Sequence, residues 1–327
     1  MSDRTIIGID IGGTKCAVTL CSEKDGKPVI VDKVRFATYR TPQETIGVLF
    51  ETVRGLTGKH ALKKTDCIGI SCGGPLNGKK GIIVCPPNLP GWVNIPIVEM
   101  FEKEFCIPAA LQNDANAGAL AEWLWGAAHG YENAVFLTFG TGMGAGLILN
   151  NRLYEGTNDL AGEVGHIRIE NDGPVGFGKA GSFEGFCSGG GIARLGQSMI
   201  AGWLSEKKDV GFCKDSARLG SITAQDIGEA AGAGNRYALE IFEVVSRKLG
   251  KGISTIIDIL NPQVVVLGSI YVRQRKIIEP LLMETLKKET IGLSLEACKI
   301  VPAKLGEAIG DYAAAAIAIY CLDKIGG

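Results

Sequence analysis

Two glycine turns and a small set of carboxylates are the residues with chemistry to offer. Ile6-Ile7-Gly8-Ile9-Asp10-Ile11-Gly12-Gly13-Thr14-Lys15 and Val135-Phe136-Leu137-Thr138-Phe139-Gly140-Thr141-Gly142-Met143-Gly144 share one plan: an apolar run, a Gly/Thr corner, then a second apolar run. Glycine tolerates positive φ and leaves no Cβ in the way, so backbone N–H groups at such a corner can close on phosphate oxygens. Thr14 and Thr141 add hydroxyl donors. Asp10 comes just before the first corner, where a carboxylate would face a metal-bound triphosphate; the blander use is an Asx-type bond that stabilises the turn. Lys15 can supply charge beside the turn, or it can be an ordinary residue on the polar face of a strand. Asp114 stands where a strand gives way to a helix, and the helix N-terminus favours its ionised form. Asn113 and Asn116 beside it supply more polar groups than capping requires. A carboxylate so placed can orient a hydroxyl and accept its proton late in a phosphoryl transfer. Glu163, His166 and Glu184, joined by Asn113, are donors and acceptors that suit a polyol better than an apolar ligand.

The elements around these residues can be read from period and punctuation. Cys16-Ala17-Val18-Thr19-Leu20 and Gly146-Leu147-Ile148-Leu149 are short and β-prone, and they end at Asp25-Gly26 and Asn150-Asn151, so both glycine turns read as β-hairpins. A P-loop or a dinucleotide fold would send its glycine loop into a helix, and neither pattern is present. The first half reads as strands Thr5–Ile11, Lys15–Cys21 and Pro28–Phe36, then a helix opened by Thr41-Pro42-Gln43-Glu44. Strand Asp66–Ser71 comes next, ending at Cys72-Gly73-Gly74-Pro75, then a helix at about Ile97–Phe105, strand Ala109–Gln112 and helix Ala115–Ala128. The second half again puts strands first and helices later, with a long helix near Asn235–Leu260, strand Gln263–Leu267 and a closing helix at about Glu307–Leu322. This order predicts a duplicated α/β fold: a smaller domain at 1–113 that also takes the closing helix (about 307–327), a larger one at 114–306, and an interdomain cleft.

Composition narrows the ligand classes. The 327 residues, 46% of them hydrophobic, are enough for two domains with well-buried cores. Thirty-four basic against 35 acidic residues, with no polybasic run, propose neither nucleic acid nor an anionic membrane as partner, which leaves small molecules. Ten scattered cysteines without a C-x-x-C suit reduced thiols. Met1-Ser2-Asp3-Arg4 leads straight into the first strand, and the longest apolar stretch, Tyr312–Leu322, is too short to span a bilayer, so the expectation is a soluble cytoplasmic protein.

Five motifs in order, Asp10-Ile11-Gly12-Gly13-Thr14-Lys15, Pro87-Asn88-Leu89-Pro90-Gly91-Trp92, Asn113-Asp114-Ala115-Asn116, Gly140-Thr141-Gly142-Met143-Gly144 and Gly162-Glu163-Val164-Gly165-His166, resemble the ROK family of sugar kinases and sugar-responsive repressors. The resemblance implies an actin-like, hexokinase-type fold and ATP-dependent phosphorylation of a hexose. It makes Asp114 the base that takes the proton from the sugar hydroxyl and Asp10 the residue that holds Mg²⁺ directly or through water. It assigns the nucleotide to Asp10, Gly12, Gly13, Thr14, Lys15, Gly140, Thr141, Gly142 and Gly268, although Ser269 stands where the family usually continues with glycine. The sugar falls to Gly74, Asn113, Asp114, Glu163, His166 and Glu184. Repressors of the family carry a helix-turn-helix domain ahead of the first glycine turn, and that turn comes too early here to leave room for one, which favours the kinase branch. A homodimer and domain closure over the acceptor are further expectations of the resemblance.

One segment departs from the family. Between the histidine and the glutamate, members usually carry three cysteines, which bind a structural zinc together with the histidine. This chain reads Val175-Gly176-Phe177-Gly178-Lys179-Ala180-Gly181-Ser182-Phe183-Glu184. No tetrahedral thiolate site can form, so a zinc-free protein is expected, with Val175 and Phe177 replacing the metal by apolar packing. The favoured function is a glucokinase-like hexose kinase acting at O6. An N-acetylhexosamine kinase and a catalytically inactive sugar-binding sensor are the alternatives.

Overall fold

The computed structural model describes residues 4–24, 26–62 and 64–326. The expected lead-in of Met1, Ser2 and Asp3 and the turn residue Asp25 lie outside the described residues. In chain order the elements begin with β1 (Arg4–Ile11), β2 (Lys15–Lys24), β3 (Lys27–Ala37), α1 (Pro42–Lys59), β4 (Cys67–Cys72), β5 (Leu76–Asn77) and β6 (Ile82–Ile83). They continue with α2 (Ile97–Phe105), β7 (Ala109–Asn113), α3 (Asp114–Trp125), β8 (Ala134–Leu137), β9 (Ala145–Leu149), β10 (Arg152–Leu153), β11 (Val175–Gly176), β12 (Lys179–Ala180) and α4 (Phe183–Phe186). The last are α5 (Gly189–Ser205), α6 (Ala224–Gly232), α7 (Arg236–Leu260), β13 (Val264–Leu267), α8 (Ile270–Glu289), α9 (Gly292–Ala297), β14 (Lys299–Pro302) and α10 (Ile309–Gly326). The chain divides into two units: Met1–Tyr131 with Gly146–Ala161 and Lys304–Gly327, and Glu132–Ala145 with Gly162–Ala303.

In the first unit a five-stranded sheet runs β3-β2-β1-β4-β7. The hairpin of β1 and β2 is antiparallel, and β4 and β7 add in parallel. Register aligns Ile11 with Cys72 and Cys72 with Asn113, so three strands end at one level. Their next residues in the chain, Gly12-Gly13, Gly73-Gly74 and Asp114, therefore share the carboxyl edge of the sheet, the edge at which open α/β sheets bind ligands. One sheet face packs Ile7, Ile9, Ile68, Ile70 and Leu111 against α1 and α2 residues such as Leu49, Val53 and Phe101. Helix α1 starts at a capping box in which Thr41 accepts from the Glu44 N–H and Glu44 accepts from the Thr41 N–H.

The opposite face takes α10, and the Ala-rich run explains how. A Cβ on Gly69 would fall 1.9 Å from the Ala314 carbonyl oxygen, and one on Gly8 3.1 Å from the Ala314 Cβ. Bare strand positions and short helix side chains let the two backbones approach closely. Helix α3 stops at Trp125, three residues short of the Ala128 expected from the sequence. The buried Glu122 carboxylate accepts from the N–H groups of Ala127, Lys304 and Leu305, and so draws the chain out of the helix.

The second unit repeats the parallel plan. β8, β13 and β14 run parallel, with Val264 opposite both Ala134 and Lys299. All four β13 residues are buried. The 25-residue α7 opens at Asn235, whose side chain accepts from Tyr237 and Ala238, and it buries a stripe from Tyr237 to Ile257.

Candidate active site

In the first unit the glycine turn after β1 is closed by the Gly12 N–H donating to the Lys15 carbonyl (3.1 Å) and by the Thr38 hydroxyl donating to the Gly12 carbonyl (2.6 Å). A Cβ on Gly13 would lie 2.4 Å from the Asn88 carbonyl oxygen, so the turn and the Pro87–Trp92 segment touch only because the residue is glycine. Thr14 and Lys15 are exposed beside it. Among the described residues the Asp10 carboxylate accepts no hydrogen bond, so no Asx-type bond braces the turn. Burial, and next the charge of Asp114, push the Asp10 pKa up to about 6, against the opposing pull of Lys33, Lys15 and Arg35.

Asp114 opens α3, and Asn113 is its cap, accepting from the Asn116 N–H at 2.8 Å. The Asn116 amide donates to the Gln112 side chain at 3.0 Å. The helix terminus favours the ionised form of Asp114, yet its pKa is raised, because burial outweighs the lowering by the Ser71 hydroxyl, which donates to its Oδ1 at 3.2 Å. Asp114 nevertheless keeps solvent access, as a carboxylate does when protein crowds it on most sides and leaves one open. Gly73 is its neighbour, since a Cβ there would be 3.9 Å from Oδ2; Gly74 precedes the cis bond to Pro75, with open space where a Cβ would stand.

In the second unit the turn after β8 closes through the Thr138 N–H to the Gly144 carbonyl (3.0 Å) and the Gly140 N–H to the Gly142 carbonyl (3.1 Å). Glu184, in α4, accepts from the Met143 N–H at 3.2 Å, and a Cβ on Gly142 would sit 3.0 Å from the same oxygen. Gly165 lies so close that a Cβ would meet the Met143 carbonyl at 2.3 Å. The second glycine turn, the 163–166 segment and Glu184 are thus one cluster. Glu163 is exposed at the start of the short turn Val164–His166. The His166 ring meets Phe177 edge-on, with centroids 5.0 Å apart, and Lys179 Nζ donates to the His166 carbonyl at 2.7 Å.

The segment that departs from the family forms the β11–β12 hairpin. Val175 is 47% exposed, so the expected apolar packing does not extend to it; Phe177 is 68% exposed and contributes only the edge that touches His166. Cross-bonds do the rest, including Arg168 donating to the Ala180 carbonyl at 2.8 Å. Among the described residues no group of three or more His, Cys, Asp or Glu could hold a metal ion.

A pocket of about 520 Å³ opens in the second unit. Gly140, Thr141 and Gly189 form one end; Gln225 and Glu229 of α6 line another side, and Ser269, Arg273 and Gln274 of the β13–α8 corner a third. Gly189 begins the 17-residue α5, and its N–H donates to the Gly140 carbonyl at 2.7 Å. That end combines glycine backbone with the positive end of a helix dipole, which suits an anion. Gly268 stands behind it, its N–H on the Leu137 carbonyl at 3.0 Å.

Sequence reasoning missed several of these residues. Ser71 gives a signal, a polar residue at the end of an apolar strand. Gln225, Glu229, Arg273 and Gln274 give none, since on a helix they read as ordinary surface residues.

Parallel strands that end in glycine turns, with carboxylates at their carboxyl ends, define an α/β protein of the actin-like, hexokinase-type class. Residues 6–320 match the ROK family, and the chain belongs to that family. A glucokinase of Halalkalibacterium halodurans is 33% identical over 275 residues, 82% of this chain and 81% of the relative. A xylose repressor of Caldicellulosiruptor bescii is 28% identical over 268 residues, 81% of this chain and 65% of the repressor. Among solved structures, a ROK family glucokinase from Streptomyces griseus in complex with glucose and AMPPNP superposes with a TM-score of 0.77 at 27% identity, covering 96% of this chain and 99% of that one.

Proposed function

We propose that the protein is a glucokinase-type sugar kinase that transfers the γ-phosphoryl group of ATP to O6 of glucose. The observation that carries this reading is Asp114, a carboxylate of raised pKa that takes a hydrogen bond from Ser71 at the carboxyl edge of a parallel sheet. A carboxylate shifted upward is a better proton acceptor near neutral pH than an ordinary one. In this reading Asp114 orients the sugar hydroxyl and takes its proton, while Asn113, Glu163, His166, Glu184 and the backbone at Gly74 bind the other hydroxyls. Gly12, Gly13, Thr14 and Lys15, together with Gly140, Thr141, Gly142 and Gly268, serve the nucleotide.

The donor set fits Mg²⁺. Among the described residues no cation is ion-paired to the carboxylate of Asp10 or Asp114, and the charge of Asp114 raises the pKa of Asp10. A hard divalent ion takes one or two carboxylates and completes its shell with water and phosphate oxygens. Asp10 would hold it, and when bound it would neutralise charge on the phosphates. The ten free cysteines fit a reducing cytoplasm, and the enzyme works there as a homodimer in this reading.

The test is a coupled phosphorylation assay with MgATP across glucose, mannose, fructose, allose, N-acetylglucosamine and N-acetylmannosamine. Glucose is expected to turn over, and Asp114→Asn to lower kcat by about 10²–10⁴-fold. Turnover of an N-acetylhexosamine in preference to glucose would reassign the substrate. Sugar binding without turnover on any of them would give the protein the sensor role, which the similarity to a repressor makes the second reading.

A further inference from the structure

Ser269 is in the wrong conformation for a serine. It precedes α8 with φ 49° and ψ −107°, a region that glycine enters freely and that costs an L residue on the order of 1–3 kcal/mol. Serine at a helix start ordinarily repays its place by capping, its oxygen accepting from the second or third N–H. Here the side chain makes no cap bond. Its hydroxyl oxygen accepts instead from Arg273 Nη2 at 3.2 Å. Arg273 lies one turn further on, just before α8 breaks at Gln274 (φ −111°, ψ 20°). Gln274 is seated against Gly228, where a Cβ would come within 2.5 Å of its Nε2. Both Ser269 and Arg273 line the pocket of the second unit, and the Ser269 hydroxyl is at its glycine end: a Cβ on Gly140 would be 3.4 Å from that oxygen.

Ser269 serves α8 through its carbonyl, which accepts from the Arg273 N–H at 3.3 Å, but its strained backbone and uncapping side chain gain the helix nothing further, and a hydroxyl that holds an arginine beside a phosphate-type turn has a use outside the helix. We propose that Ser269 is a positioning residue that holds the Arg273 guanidinium at the glycine end of this pocket, and that Arg273 binds the phosphate chain of the nucleotide. The proposal rests on reading the pocket as the ATP site. Guanidinium is suited to the task because its planar fork pairs with phosphate oxygens through charge-assisted hydrogen bonds.

Ser269→Gly should relieve the backbone and remove the hydroxyl bond to the arginine, so stability and binding move in opposite directions. The melting temperature of the ligand-free protein is expected to rise by about 2–4 °C, while affinity for ATP and ADP, measured by titration calorimetry, falls by about tenfold. Ser269→Ala keeps the strain and loses the hydroxyl bond to Arg273, so it should weaken ADP binding without the thermal gain. Arg273→Gln should weaken ADP but leave adenosine binding unchanged, and adding Ser269→Gly to it should cost no further affinity, an interaction that a merely structural serine would not give. Unchanged ADP affinity in Ser269→Gly, or an equal loss of adenosine and ADP in Arg273→Gln, would overturn the proposal and leave the nucleotide site standing. A wild-type protein that binds neither ATP nor ADP would bring down the reading of the pocket, and the proposal with it.

Discussion

In the proposed reaction Ser71 and Asp114 would set the proton chemistry between them. The Ser71 hydroxyl bond favours the ionised carboxylate, and burial opposes it more strongly. Ser71→Ala removes the lowering influence, so the Asp114 pKa should climb further and the acidic limb of the kcat/KM profile should move to higher pH, with the plateau rate much less affected than by Asp114→Asn. A limb that stays in place would mean that another group titrates there. Asp10 gives a stability signature of its own. Its folded pKa of about 6 exceeds the ordinary 3.8, so the ionised form is the one folding disfavours. The cost is absent below pH 3.8, grows between 3.8 and 6 and is complete above, where it amounts to about 3 kcal/mol. Asp10→Asn should therefore stabilise the protein against urea at pH 8 and lose that advantage near pH 4, while its activity depends on far more Mg²⁺ than the wild type requires. Of these residues the sequence displayed Asp10 and Asp114 plainly, because the first interrupts an apolar run beside a glycine turn and the second stands in a polar cluster where a strand gives way to a helix. It could not display the upward shift of Asp114, because a helix terminus is local and visible in a sequence whereas desolvation comes from residues far along the chain.

Elements were legible where a local rule governs them. Thr41-Pro42-Gln43-Glu44 carries its capping box in four letters, and α1 begins there. Ile97–Phe105 is helical over the range its period indicates. The end of α3 was not legible, since Glu122 ends it by reaching N–H groups at Lys304 and Leu305, which a reading of neighbours does not connect. The partner of α10 is a similar case: an Ala-rich helix announces itself, but its fit to the sheet depends on Gly8 and Gly69. Gly69→Ala tests the fit, because the new methyl would meet the Ala314 backbone, which cannot give way as a flexible side chain does. Overpacking of this kind is expected to cost about 3 kcal/mol or more. Gly47→Ala, on the exposed side of α1 with nothing within 4 Å of the added Cβ, should instead stabilise by about 0.5–1 kcal/mol. Urea unfolding of the two variants checks both signs; equal effects would show that the conformational freedom of glycine, not close approach, decides at Gly69.

At the scale of the molecule the question is what holds 327 residues together without staples. All ten cysteines are free, and among the described residues no group of three or more His, Cys, Asp or Glu could hold a structural metal. The cores are built from apolar strand faces such as Ile7, Ile9, Ile68 and Ile70, and the His166 loop rests on the Phe177 edge, the Lys179 bond to the His166 carbonyl and the Arg168 bond to the Ala180 carbonyl. None of these contacts responds to a chelator, whereas a structural zinc site draws folding free energy from its metal. Dialysis against EDTA should therefore leave the melting temperature of the ligand-free protein unchanged, and elemental analysis should find no stoichiometric zinc. Ligands should act by mass action instead: glucose at a hundred times its Kd adds about 2.7 kcal/mol, which raises the midpoint by several degrees. Arg168→Ala and Lys179→Ala are the variants in which the loop loses its cross-bonds, and in them the stabilisation by glucose should shrink while that by ADP persists. A fall in melting temperature on chelation, reversed by added zinc, would show instead that the loop is held by a metal and that the hydrogen bonds are secondary.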